Sequence, residues 1–197
     1  MNPLQRYFHR KPTPLSELMS DRIHYACGRT LLPGWLNVDG IDESYPMGKV
    51  DKQIARQIFR MDLTTEHPFP DNSFVFGYSE DFLEHIDQGD SLIFLCEAYR
   101  TLTPGGVLRI SCPGLKNVLR RHLRSSDYAG GATCREEAYT SWWHKHFYCF
   151  ESLKLVAEHI GFSDMRQCEY GKSDHPELLH DSRPDQADLN LVVELTK

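Results

Sequence analysis

The six cysteines include no pair at the Cys-x-x-Cys spacing that is common in zinc ribbons and redox motifs. Because they are scattered singly, we expect reduced thiols in a cytoplasmic protein rather than a disulfide framework. No apolar run approaches the roughly 20 residues that a membrane-spanning helix needs. Arg6, Arg10 and Lys11 are not followed by the apolar segment of a signal peptide. These absences argue against a membrane protein and a disulfide-rich secreted domain.

An excess of positive charge is also missing. The 197 residues include 22 Lys and Arg against 28 Asp and Glu, which gives a formal net charge of -6. Broad binding to nucleic acid requires a cationic face, so a nucleic-acid partner is not expected. Repeats and low-complexity tracts are absent. The length favours a single domain over residues 1–197, in which residues 1–20 form a polar N-terminal arm.

Apolar strand-like runs alternate with helix-like segments along most of the chain. Strands are expected near 22–26, 36–39, 58–61, 73–78, 106–112, 163–169 and 189–195. Helices are expected near 49–57, 89–102, 114–124 and 150–160, with irregular chain over 125–147 and 171–187. This alternation predicts an α/β fold: a Rossmann-like three-layer sandwich around a mostly parallel seven-stranded sheet. The last strand should be antiparallel, because a loop rather than a helix precedes it.

A strand, a tight turn and a second strand ending in an acid lie near the start of the chain. The first strand stops at Cys27 and Gly28, and the second ends in Asp39. Small residues at a strand end let a ligand approach the backbone closely. A carboxylate at the tip of the neighbouring strand can accept hydrogen bonds from two ribose hydroxyls. The pair indicates a nucleoside site, although a glycine at a strand end is also common in a simple turn.

Further motifs follow in a characteristic order. They are Met-Asp-Leu at 61–63, Pro-Phe-Pro-Asp-Asn-Ser-Phe at 68–74, Phe-Leu-Glu-His-Ile at 82–86, Glu-Ala-Tyr-Arg-Thr-Leu-Thr-Pro-Gly-Gly at 97–106 and Ile-Gly-Phe at 160–162. Each is weak alone, but together with Ala-Cys-Gly at 26–28 and Asn-Val-Asp at 37–39 their order and spacing are specific. Between about residues 22 and 165, the chain resembles class I S-adenosylmethionine-dependent methyltransferases, and most of all the small proteins of the methyltransferase type 11 kind.

This resemblance implies S-adenosylmethionine as the cofactor and the first turn as part of its site. The backbone of Ala26, Cys27 and Gly28 would face the methionine part, and Asp39 would accept hydrogen bonds from the ribose hydroxyls. The family's turn usually carries three glycines, whereas this chain has alanine at the first position and Thr30 at the third. The connection to the second strand is also too short for a full crossover helix. We therefore expect a shortened first crossover and a more open pocket.

The resemblance places the remaining cofactor contacts after later strands. Asp62 would accept from the exocyclic amine of adenine, with the Leu63 backbone beside the ring. Ser79 and Glu80 follow the fourth strand, at the carboxyl edge where open α/β sheets bind ligands. No phosphate has to be held, so a full dinucleotide glycine pattern is unnecessary.

Two segments carry candidate catalytic residues. In methyl transfer the enzyme mainly aligns the reactants and sometimes supplies a base. His85, in the segment 79–85, is a candidate base, although a structural role in holding its turn is an equal alternative. His146 lies in the segment 142–148, whose aromatic rings either stack on a flat or sugar-like acceptor or close the edge of the core. We expect the two segments to bound the mouth of the pocket.

A metal site is not expected. Cys134, His144, His146 and Cys149 are suitable zinc ligands, but their spacing fits no recurrent pattern. The acidic, histidine-bearing part of the loop 171–187 is expected to be solvated; it comprises Asp174, His175, Glu177, His180 and Asp181.

The sequence thus predicts a methyltransferase acting on a small-molecule or sugar-like acceptor. The alternative is a degenerate member that binds the cofactor and serves as a binding partner with little turnover, as the altered glycine turn would allow. A nicotinamide dehydrogenase is disfavoured, because no Gly-x-Gly-x-x-Gly follows any predicted strand.

Overall fold

Seven strands form one sheet in the computed structural model, which describes residues 20–40 and 51–197. They are β1 (Arg22–Tyr25), β2 (Leu36–Asp39), β3 (Phe59–Arg60), β4 (Phe74–Glu80), β5 (Leu102–Pro113), β6 (Asp164–Gln167) and β7 (Asn190–Thr196). Their order in space is β3-β2-β1-β4-β5-β7-β6, and only β7 pairs antiparallel with its neighbours. The predicted mostly parallel seven-stranded sheet with an antiparallel last strand is confirmed.

Within residues 20–40 and 51–197, five α-helices and several single turns connect these strands. The helices are α1 (Lys52–Ala55), α2 (Gln88–Thr101), α3 (Leu115–His122), α4 (Tyr128–Ala138) and α5 (Phe150–Ile160). Short 3₁₀ segments cover Leu83–His85, Thr140–Trp142, Pro176–Leu178 and Pro184–Gln186. The predicted arm, apart from Ser20, and the first two positions of the helix predicted over 49–57 lie outside the described residues.

The prediction of irregular chain over 125–147 is wrong, because α4 lies within it. Asp127 caps the N-terminus of the helix, and its side chain accepts a hydrogen bond of 2.8 Å from the Gly130 backbone N–H. Adjacent glycines at 130 and 131 lower the intrinsic helix propensity and hide the helical pattern. The Asp127 cap and packing against α3 therefore stabilise α4, although its intrinsic helix propensity is low.

The connection from β1 to β2 contains no helix in the described residues 26–35, as the sequence predicts. It turns at Pro33 and at Gly34, which has a φ of +78°. The Asn37 side chain fixes this path: its Oδ1 accepts from the Leu32 N–H at 2.9 Å, and its Nδ2 donates to the carbonyls of Leu32 and Trp35 at 3.1 Å. A buried amide thus satisfies the backbone groups that a crossover helix would satisfy internally.

The two faces of the sheet are covered differently. One face carries the main apolar core, in which α2 and α5 pack through buried residues such as Phe94, Leu95, Leu153 and Ala157. The other face carries a second cluster that combines the β1–β2 connection, β4, β5 and the loop 171–187. Its buried members are Leu32, Trp35, Tyr78, Val107 and Leu178.

The loop 171–187 is therefore not simply solvated, and that prediction is wrong at its centre. Leu178 is fully buried, and the Asp181 side chain has no exposed surface. Asp181 pairs with Arg109 of β5, which is itself fully buried, at 2.5 Å. Glu194 of β7 pairs with the same guanidinium at 2.8 Å. Buried charges persist when they are paired, and here the pairing holds the loop on the sheet.

Candidate functional site

The turn after β1 has a left-handed backbone at two positions. Ala26 has a φ of +51° and Gly28 a φ of +54°, and the turn is closed by a bond of 2.9 Å from the Thr30 N–H to the Cys27 carbonyl. A Cβ atom placed on Gly28 would meet nothing within 4 Å. The backbone at Gly28 thus faces open space, which suits close approach by a ligand.

Cys27 contributes backbone rather than side-chain chemistry to this turn. Its side chain is buried against Ile58 in a small apolar cluster. Burial, reinforced by the Asp39 carboxylate, raises the pKa of its thiol to about 12. Since the thiolate is the reactive form of cysteine, Cys27 is not a nucleophile here.

Asp39 ends β2 beside the same turn. Its side chain is 9% exposed, and Oδ2 accepts a hydrogen bond of 2.8 Å from the Gly28 N–H. The turn and the acid form one unit whose donor and acceptor set fits the methionine part and ribose diol of a nucleoside cofactor.

The segment after β3 lies next to this unit. The Met61 N–H donates to the Asp39 carbonyl at 3.1 Å, which places Asp62 and Leu63 directly beyond the β2 edge. Asp62 is exposed, and its Oδ1 accepts from the backbone N–H and the hydroxyl of Thr64 at 2.9 and 2.7 Å. Leu63 is buried in the main core. The Asp62 carboxylate is thus fixed by Thr64 of its own loop, and this loop lies close to Asp39, the predicted ribose contact.

Ser79 and Glu80 end β4, but their side chains have different surroundings. Ser79 is buried in the sheet, paired with Tyr25 of β1 and Ile110 of β5. Glu80 accepts from the Ser182 N–H at 3.0 Å and from the Ser182 hydroxyl at 2.5 Å. The loop 171–187 therefore reaches the carboxyl edge of the sheet and engages one of the predicted cofactor residues.

The two segments expected at the pocket mouth are in direct contact. The Lys145 N–H donates to the Glu84 carbonyl at 2.7 Å, and the His146 ring Nδ1–H donates to the Ile86 carbonyl at 2.9 Å. The rings of His85 and His144 meet edge to face with centroids 4.8 Å apart. The structure thus brings the 3₁₀ turn after β4 and the segment 142–148 into one surface.

Both predicted catalytic histidines are neutral at physiological pH. Burial, together with the nearby His144, lowers the pKa of His85 to about 4. Burial also lowers the pKa of His146. The Nε2 of His146 is buried and has no hydrogen-bond partner among the described residues. With Nδ1–H donated to a carbonyl, that Nε2 carries the lone pair that a base requires.

The aromatic residues of 142–148 divide between the core and the surface. Tyr148 is buried and hydrogen-bonds Ser91 at 2.7 Å, and Phe147 packs against Tyr139 and His144. Trp142 and Trp143 are 53% and 63% exposed. Of the two alternatives for this segment, closing the core edge fits Phe147 but not the exposed Trp142 and Trp143.

The sequence did not indicate that His144 lies beside Glu84 and His85. The ligand atoms of Glu84, His85 and His144 all lie within 4.8 Å of one another, whereas Cys134, His144, His146 and Cys149 form no such group among the described residues. Glu84 and His85 are adjacent in sequence, but only the fold shows that His144 joins them.

Comparison with known proteins agrees with this geometry. Residues 23–110 match the family model described as a methyltransferase domain. Among curated proteins no sequence matches the chain. No helix in the described ranges has the length and apolar character needed to cross a bilayer.

Several solved methyltransferases share the fold. An S-adenosylmethionine-dependent methyltransferase from Mesorhizobium loti superposes with a TM-score of 0.58 at 15% identity, covering 99% of this chain and 96% of that one. A possible histamine N-methyltransferase from Thermotoga maritima gives 0.55 at 17% identity, covering 98% and 86%. Phosphoethanolamine N-methyltransferase 2 from Haemonchus contortus, solved with S-adenosylmethionine, gives 0.54 at 13% identity, covering 98% and 50%.

S-adenosylmethionine is the expected cofactor, as the methyltransferase-domain match and the neighbour solved with S-adenosylmethionine indicate. The match of residues 23–110 to a methyltransferase domain and the shared fold are consistent with a class I S-adenosylmethionine-dependent methyltransferase.

Proposed function

We propose that this chain methylates a small-molecule or sugar-like acceptor that binds against Trp142 and Trp143. One observation carries the proposal: two exposed indole rings adjoin the histidine surface at the carboxyl end of β4. Large aromatic side chains left in solvent are typical of binding sites, because their burial by a ligand is favourable. Flat rings and sugar faces are the partners that such side chains stack on.

The cofactor would lie along the edge formed by β1, β2 and β3. The backbone at Gly28 would face its methionine part, Asp39 its ribose and Asp62 its adenine. When bound, S-adenosylmethionine supplies an electrophilic methyl group on a sulfonium. The residues of the chain then have to hold the acceptor nucleophile in line and exclude water.

His146 is our choice for the group that receives a proton when the acceptor carries one. Its tautomer is set by Ile86, so Nε2 presents a lone pair. His85, with a pKa near 4, is a weaker base and is better suited to hold the surface together through His144.

The degenerate alternative also has an observation in its favour. Glu80, a predicted cofactor contact, is engaged by Ser182. A chain that uses this edge to hold its own loop could bind the cofactor weakly and act through a protein partner instead.

The test measures formation of S-adenosylhomocysteine over a panel of phenols, amines and sugar derivatives, with cofactor binding followed by calorimetry. Trp143→Ala should lower turnover at least tenfold and leave cofactor affinity unchanged, and Trp142→Ala should act in the same direction. Tyr128→Ala is the matched control, because Tyr128 is an exposed aromatic on α4 outside the segment.

Loss of cofactor affinity in either tryptophan variant would move the acceptor site elsewhere. Binding of the cofactor by the wild-type chain with no acceptor turned over would favour the degenerate alternative.

A further inference from the structure

Glu84 is a buried carboxylate that protein groups leave unsatisfied. Its residue is 2% exposed, and neither Oε1 nor Oε2 has a hydrogen-bond partner among the described residues. The nearest cationic candidate is His85, whose Nε2 lies 3.9 Å from Oε1, beyond hydrogen-bond length. Burying an ionised carboxylate without partners costs several kcal/mol, so a bound cation would stabilise the charged form of Glu84 in a way that the described side chains do not.

His85 and His144 direct nitrogen lone pairs toward the same space. The His144 Nδ1–H donates to the Ala138 carbonyl at 2.7 Å, which fixes the tautomer with a lone pair on Nε2. The His85 Nε2 lies 3.9 Å from Oε1 of Glu84. A backbone carbonyl that orients an imidazole in this way is the usual outer contact of a metal-binding histidine.

The geometry points to a divalent metal site formed by Glu84, His85 and His144, and we propose that it binds a first-row transition cation, with Zn²⁺ as the reference ion. One carboxylate oxygen and two imidazole nitrogens suit such a cation, whereas Mg²⁺ and Ca²⁺ prefer oxygen ligands alone. Ligands about 2.1 Å from a tetrahedral ion lie about 3.4 Å apart. The three ligand atoms here already lie within 4.8 Å, so small side-chain rotations complete the site.

A second buried acid adds to the negative potential. Oδ1 of Asp81 is buried without a hydrogen-bond partner among the described residues, while its Oδ2 pairs with Arg183 at 3.3 Å. Asp81 lies three positions before Glu84, just ahead of the 3₁₀ turn Leu83–His85. One cation between these groups would relieve both the repulsion and the desolvation.

Three protein ligands leave a coordination position open, as in catalytic rather than structural zinc sites. That position belongs to the surface that also carries Trp142 and Trp143. An oxygen or nitrogen of the acceptor could therefore bind the cation directly. This last consequence rests on the proposed function, whereas cation binding itself does not.

The experiment uses the full chain without an affinity tag, stripped with chelator and then titrated with Zn²⁺ by calorimetry and with Co²⁺ by visible absorption. We expect one ion per chain and a cobalt spectrum typical of nitrogen and oxygen ligands in four- or five-coordinate geometry. Glu84→Gln and His144→Gln should weaken binding more than the 10- to 100-fold that loss of an outer contact costs. His159→Gln is the matched control, because His159 is an exposed histidine on α5.

His85→Asn guards against variants that fail to fold, because the His85 side chain is 39% exposed and its replacement leaves the core intact. It should weaken Zn²⁺ binding as strongly as the other two ligand variants. Absence of saturable binding, binding of Mg²⁺ in preference to Zn²⁺, or equal losses in His159→Gln would each overturn the proposal. S-adenosylhomocysteine affinity, measured on the same samples, reports separately on the proposed function.

Discussion

Replacing Asp181 by asparagine should unfold the loop 171–187 from the sheet and destabilise the whole domain. The Arg109 guanidinium donates to Asp181 through Nη2 at 2.5 Å and Nε at 3.1 Å. Asp181 also accepts from the Gly171 N–H at 2.8 Å. An asparagine of the same size keeps one oxygen but presents an NH₂ group to a donor, so at least one of these bonds is lost together with the charge.

The expected loss follows from how much of the pair is buried. Removing one partner of a buried ion pair costs about 3–5 kcal/mol, because the other charge stays buried without compensation. Glu194 still pairs with Arg109 at 2.8 Å, which favours the lower end of this range. About 3 kcal/mol corresponds to a fall in Tm of about 6–12 °C for a domain of this size.

Urea unfolding followed by circular dichroism and tryptophan fluorescence measures this loss as a lower midpoint at constant slope. Glu151→Gln is the control, because it breaks the exposed Lys116–Glu151 pair and should leave the midpoint unchanged. A double-mutant cycle with Arg109→Met should show that the two losses are far from additive. If Asp181→Asn unfolds at the same midpoint as Glu151→Gln, the argument that a buried pair holds the loop is refuted.

Two further predictions concern the cofactor edge and the pH dependence of stability. Asp39→Ala should weaken S-adenosylhomocysteine binding about tenfold or more, since it removes a charged hydrogen-bond acceptor worth about 1.5–3 kcal/mol; calorimetry showing the wild-type affinity would remove Asp39 from the site. Burial lowers the pKa of His24 from 6.5 to about 4. The folded state therefore holds this ring neutral, and stability that is fully present above pH 6.5 should fall by about 3 kcal/mol as the pH drops to 4. His24→Gln should flatten that part of the urea-midpoint profile, and an unchanged profile would assign the acid sensitivity to other groups.

The sheet could be predicted because its signals are local. Most of the buried parallel strands appear as short apolar runs, and several end at an acid or at a glycine-containing turn that is visible in the sequence. The missing crossover helix followed from the few residues between β1 and β2 and from Pro33 and Gly34. The helix α4 was missed because its stability comes from a cap and from packing against α3, and neither contributes to the propensity of a run containing Gly130 and Gly131.

The candidate site could be predicted only where it is built from neighbouring residues. The turn at Gly28 and the acid at Asp39 are strand-end features, so the sequence indicates both. Glu84 and His144 are 60 positions apart, and no spacing rule connects them. A glutamate is exposed in most proteins, so its burial here could not be read from its type.

The shortened crossover and the long loop before β7 are two parts of one arrangement. Leu178 packs with Leu32 and Trp35 over a sheet face that a crossover helix would otherwise cover. The next residues of the same loop reach the carboxyl edge of β4, where Ser182 bonds Glu80 and Arg183 pairs with Asp81. The loop that covers the sheet face therefore also positions the Glu80 and Asp81 carboxylates at the mouth of the site. A change that loosens the loop should alter the surroundings of Glu80 and Asp81 even where no ligand contact is touched.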